Sequence, residues 1–199
     1  MISKNLRKLS IGFLIAILVA ISAFPTGNGL PTGITSTSTT DTVIANGCTC
    51  HNTNQEATSS VIVNLSLPTN FTSGETYTIV LNISGGPNDL SDGENQGGFF
   101  VTASDGELTP IANDTYVQKP FGFTHLTHTV EGNDYREWTF EWTAPSKDDI
   151  SVQFVAYGNS VSGAGDGAAN DYWNKKAITL YGVNAVIEVE ENKDLSGPQ

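Results

Sequence analysis

Positive charge is scarce in this chain: nine Lys and Arg stand against 21 Asp and Glu, a formal net charge of −12. A surface of that sign repels phosphate backbones and anionic lipid heads, so a nucleic-acid partner is excluded. Its simplest meaning is solubility. The catalytic signatures G-x-S-x-G, H-E-x-x-H and the P-loop are all absent, and a catalyst in the strict sense is not expected. No amphipathic helical stretch of useful length follows residue 23, which excludes a helical bundle. Only two cysteines occur, Cys48 and Cys50. Two residues apart and ahead of the strands, they cannot form the inter-sheet bridge of antibody domains. Only one long apolar run exists, at the N-terminus.

That run sits in MISKNLRKLSIGFLIAILVAISA, residues 1–23. Lys4, Arg7 and Lys8 precede it, and small residues follow at Ala20, Ser22 and Ala23. This is the layout of a secretory signal, and the apolar stretch is short of the ~20 residues of a spanning helix. Cleaved or kept as an N-terminal anchor, it predicts a secreted or cell-surface protein. Membrane contact is then through the N-terminal segment alone, since ENKDLSGPQ at the other end is not apolar. Residues 24–46 are rich in Pro, Gly, Ser and Thr and read as a flexible linker. Residues 47–56 hold the cysteine motif, 57–191 the folded domain, and 192–199 a tail. Four N-x-S/T sequons, at Asn64, Asn70, Asn82 and Asn113, are candidate glycosylation sites in an exported protein.

From Ser60 the pattern has period two. SVIVNLSL puts Val61, Val63, Leu65 and Leu67 on one face, and YTIVLNIS repeats this with Tyr77, Ile79, Leu81 and Ile83. Further strands are read in GGFFVTAS (97–104), FTHLTHTV (123–130), REWTFEWTAP (136–145) and ISVQFVAYGN (150–159), with one or two more in 175–191. Trp138, Phe140, Trp142 and Tyr157 are assigned to the core, whereas Tyr172 and Trp173 are placed where they could wall a pocket. About seven or eight short strands separated by turn residues predict an all-β fold, an antiparallel immunoglobulin- or fibronectin-like sandwich.

The chemistry concentrates in N-G-C-T-C-H-N, residues 46–52. Two thiolates and an imidazole within four residues, Cys48, Cys50 and His51, suit copper, zinc or haem iron. A disulfide between residues i and i+2 is strained and easily reduced, yet stays open as a structural alternative. The other two histidines, His125 and His128, share FTHLTHTV and are expected on opposite faces of that strand. Either is a candidate metal ligand or a hydrogen-bonded core residue. A Gly-rich loop, GAGDGAANDYW (163–173), offers Asp166, Asn170 and Asp171 as candidate calcium ligands, though not at EF-hand spacing.

The order of these features resembles a known family. A signal and Gly/Pro-containing tether precede a Cys–His motif. Then come F-T-S-G-E-T-Y-T-I (71–79), G-G-F-F-V-T-A (97–103), H-T (128–129), W-T-F-E-W-T-A-P (138–145), F-V-A-Y-G-N (154–159) and G-D-G-A-A-N-D-Y (165–172). Across roughly 43–182 this is similar to the exported Reeler-like β-sandwich domains called choice-of-anchor V. Members commonly carry C-x-x-C-H before the sandwich, which looks like a haem c attachment site. The resemblance implies thioether bonds at Cys48 and Cys50, His51 as proximal ligand and His128 as a distal one. This chain departs by having a single residue, Thr49, between the cysteines. The function expected is haem-binding electron transfer with redox or cell-surface protein partners. The alternatives are a copper or zinc surface protein and a cofactor-free adhesive module.

Overall fold

The computed structural model describes Leu30 and residues 32–48, 56–87, 95–162 and 171–186. The expected signal segment, Cys50, His51, Asp166, Asn170 and the tail lie outside the described residues. Among the described residues there are ten strands: β1 (Val61–Leu65), β2 (Asn70–Phe71), β3 (Thr76–Gly85), β4 (Gly97–Ala103), β5 (Glu107–Pro110), β6 (Val117–Gln118), β7 (Leu126–His128), β8 (Glu137–Thr143), β9 (Ser151–Ser160) and β10 (Tyr172–Gly182). They form a four-stranded sheet in the order β1-β3-β8-β5 and a six-stranded sheet in the order β2-β10-β9-β4-β7-β6. Every pairing is antiparallel except β10 with β2. The all-β sandwich is as expected, but the count exceeds seven or eight. Two-residue β2 and β6 are too short to show any alternation in sequence.

Alternation sets the core. Val61 and Val63 of β1, Ile79, Leu81 and Ile83 of β3, and Trp138, Phe140 and Trp142 of β8 all turn inward. Phe99, Val101, Phe154 and Ala156 meet them from the six-stranded sheet. Trp142 is the largest fully buried side chain, with Phe71 and Phe154 edge-on at 5.4 and 5.0 Å. Its indole N–H donates to the Asp105 carbonyl at 3.0 Å, so the ring is buried without an unmet donor. β4 is different, because Gly97 to Val101 are buried without interruption. A strand buried on both faces needs a cover on its second face.

The cover is the segment expected to be a tether. A ten-residue helix, α1 (Thr37–Asn46), corrects that reading. Its sequence TSTTDTVIAN holds four threonines and has weak intrinsic helicity. Its ends are nonetheless well specified. Ser36 Oγ accepts from the Thr39 N–H at 3.3 Å, and the Gly47 N–H returns to the Val43 carbonyl at 2.9 Å. Val43, only 1% exposed, anchors α1 on the sheet, so packing supplies what propensity lacks. None of the described helices is long and apolar enough to cross a membrane.

Trp142→Ala removes the centre of the core and orphans the Asp105 carbonyl. Urea unfolding should show a loss of about 3–5 kcal/mol. A loss below about 1 kcal/mol would contradict this account of the core.

Candidate functional site

The outer face of the six-stranded sheet carries a second apolar cluster: Ile34, Val43, Phe100, Tyr157 and Trp173, with Leu30, Cys48 and Val155 packed at its margin. Register explains it. Phe100 lies opposite Tyr157 on β4 and β9, so both face away from the main core. Trp173 on β10 lies opposite Asn159 and continues the strip. Ring centroids are 5.9 Å apart for Phe100 and Tyr157, and 6.4 Å for Tyr157 and Trp173. Tyr157 therefore belongs to this outer cluster and not to the inter-sheet core.

The arm of residues 30–48 lies on that strip and ends at Cys48, the first member of the Cys–His motif. Gly47 has φ +82°, and a Cβ there would fall 1.9 Å from the Trp173 ring. Only glycine lets the chain turn this close to the indole. Cys48 is half-buried beside it. Burial raises the Tyr157 phenol above its ordinary value, and the charge of Cys48 as thiolate adds to the rise. That phenol donates to the Ile44 carbonyl at 3.4 Å.

Both remaining histidines are buried, and both ring systems reach the arm. His125 precedes β7 instead of lying in it, so strand alternation does not apply to the pair and the expectation of opposite faces is corrected. His125 Nε2 meets the Ile34 carbonyl at 2.8 Å, with Phe100 and Phe123 at 4.6 and 4.9 Å from its ring. His128 Nδ1 accepts from the Phe99 N–H at 3.2 Å, which leaves Nε2 as the protonated nitrogen facing the Leu30 carbonyl at 3.1 Å. Between them, Thr127 Oγ1 accepts from the Ile34 N–H at 3.2 Å and donates to the Phe99 carbonyl at 2.8 Å. Gln118 Nε2 donates to the carbonyls of Thr32 and His128, each at 2.6 Å. The four side chains clamp main-chain groups of the arm.

The structure thus brings His125 and His128 to the arm that carries Cys48. Among the described residues no group of three or more His, Cys, Asp or Glu is arranged to hold a metal ion. Asp171 is buried, and its Oδ1 accepts from the Ser162 N–H at 2.9 Å, tying together the two ends of the Gly-rich loop. Of the sequons, Asn64, Asn70 and Asn113 are exposed and Asn82 is half-buried. Asn64 and Asn82 lie directly opposite each other on β1 and β3, and Asn82 Nδ2 donates to Glu137 Oε2 at 3.3 Å. Thr127, Gln118 and Phe100 were not singled out in the sequence. The unbroken apolar run Phe99–Val101 was the available signal that β4 is covered on both faces.

Burial lowers the His125 pKa, outweighing the Ile34 carbonyl, which favours the charged ring. Released from the arm, the ring would bind protons more readily than when docked. Docking therefore holds fully above about pH 6.5 and weakens as pH falls below it. Amide protection of residues 32–48, corrected for intrinsic exchange, should drop on acidification in the native protein. That step should shrink in His125→Gln, where His128 is the one imidazole left on the arm; an identical step in the variant would contradict the assignment.

No protein-family model matches the chain, and no curated protein matches it. Solved structures similar to it include the human F-spondin reeler domain. Its fragment 2 is 13% identical over 70% of this chain and 96% of that one, with a TM-score of 0.44. Fragment 1 is 14% identical over 63% and 92%, with a TM-score of 0.41. A cohesin module from a Clostridium perfringens family 33 glycoside hydrolase is 14% identical over 62% and 98%, with a TM-score of 0.38. The chain is a β-sandwich whose solved neighbours include Reeler domains, at low sequence identity.

Proposed function

We propose that this protein is an exported, haem-binding electron-transfer module of the choice-of-anchor V kind, with its cofactor on the Cys48–Thr49–Cys50–His51 sequence. One observation carries the reading: the docked arm holds Cys48 half-buried against Trp173 and Tyr157. A haem needs thiol attachment in an apolar surround, and Cys48, where the motif begins, packs at the margin of an apolar cluster. Cys48 and Cys50 would carry the thioether bonds and His51 the proximal position. Bound haem would supply a one-electron iron couple.

The chain's own part is to orient and to shield. The Gly47 turn against Trp173 limits the directions Cys48 can take. Trp173 and Tyr157 keep water from one side of it. His128 is engaged through both ring nitrogens and His125 holds the arm through Nε2, so the donor set this reading uses is the contiguous Cys–His sequence. That same confinement favours a second reading, a copper or zinc ion held by Cys48, Cys50 and His51.

An absorption spectrum and intact mass of the protein from its native membrane or secreted fraction decide between them. A Soret band with the mass of one haem added is the expected result. Stoichiometric metal without that band would favour the second reading. An apo mass with neither would overturn both and leave an adhesive surface module.

A further inference from the structure

We propose that His125 and His128 are positioning residues: as Nε2–H donors they pin two carbonyls of the N-terminal arm and so fix where the Cys–His sequence begins. The proposal rests on the reading of Cys48 to His51 as the cofactor site, and it gives the two fold histidines a role other than ligation.

Three features of the dock support it. The first is direction. His125 faces the Ile34 carbonyl and His128 the Leu30 carbonyl, four residues apart on the arm, at 2.8 and 3.1 Å. Both rings come from one short segment and act on one short segment. The second is tautomer. The Phe99 N–H donates to His128 Nδ1, which places the ring proton on Nε2 and aims it at the arm. An imidazole so engaged has no lone pair to offer a metal without surrendering one of these bonds.

The third is fit. A Cβ at Gly98 would lie 2.7 Å from His128 Cε1, so the ring rests on bare backbone of β4. A Cβ at Gly33, which has φ +76°, would lie 2.2 Å from the His128 carbonyl oxygen. The arm therefore crosses β7 at a distance only glycine permits, at the point between the two pinned carbonyls. From Ile34 the chain runs through α1 to Cys48, with Val43 as the one deep apolar anchor on the way. A slip of the pinned carbonyls would carry Cys48 away from Trp173.

The test is hydrogen exchange of the arm, read as amide protection of residues 32–48 in the full chain, beside the spectrum and metal content of the same samples. His125→Ala with His128→Ala should raise arm exchange by about tenfold or more, while β3 and β8 keep their protection. Gln can present an N–H near the position of Nε2. Single His125→Gln and His128→Gln variants should therefore stay within about threefold of the native arm and keep the native spectrum or metal content. Gly33→Ala leaves both imidazoles and the core intact and should also free the arm; it serves if the double alanine variant fails to fold.

Unchanged arm exchange in Gly33→Ala and in the double alanine variant would overturn the proposal. So would glutamine variants that keep a protected arm but lose bound iron or metal, because that pattern belongs to ligands. If the native protein carries no cofactor while arm exchange behaves as expected, the cofactor reading falls. The two histidines then still stand as the dock of the arm.

Discussion

Two imidazole N–H groups facing two main-chain carbonyls hold the N-terminal arm to the sandwich, and the outer half of the molecule is organised around them. The carbonyls of Leu30 and Ile34 lie in a segment with little side-chain bulk to bury. Among its described residues, Ile34 and Val43 are the only deeply buried hydrophobic ones. Such a segment gains too little from apolar burial to offset its ordering entropy unless polar contacts add to it. Imidazoles held at 2% and 8% exposure are suited to this, since their hydrogen bonds meet little competition from water. Where the arm lies, β4 is buried on both faces and Phe100, Tyr157 and Trp173 become interior residues.

The sandwich beneath has a core of its own. Its core draws on both sheets through Trp142, Phe140, Phe154, Leu81 and their neighbours. Arg136 secures one end of it by donating to the carbonyls of Gln96, Gly85, Pro87 and Val161. The two layers are held in different ways. The inter-sheet core is large and apolar, whereas the arm is a thin cover anchored mainly through polar contacts.

Much of the fold was legible because strand alternation is local. Val61 and Val63, Ile79 and Leu81, and Trp138 and Phe140 declare their shared faces within a few residues. The helix α1 was not legible, because four threonines oppose it and only Ser36 and Gly47 mark its ends. The face of the histidines was misread because β7 spans three residues, so no alternation extends to His125. Tyr157 looked like core because it follows an alternating run, and its partner surface is a segment far away in the sequence.

By itself the sequence determined the chemistry available and the class of fold. Paired thiols beside an imidazole, a deficit of cations and period-two hydrophobicity are properties of neighbouring residues. Tertiary structure alone decided what His125 and His128 contact, because their partners lie 91 and 98 residues away. Those partners are backbone carbonyls, which every residue possesses and no residue type reveals. The same holds for the wall beside Cys48. Trp173 meets Gly47 across more than a hundred residues, and only the folded chain shows that a glycine was required there.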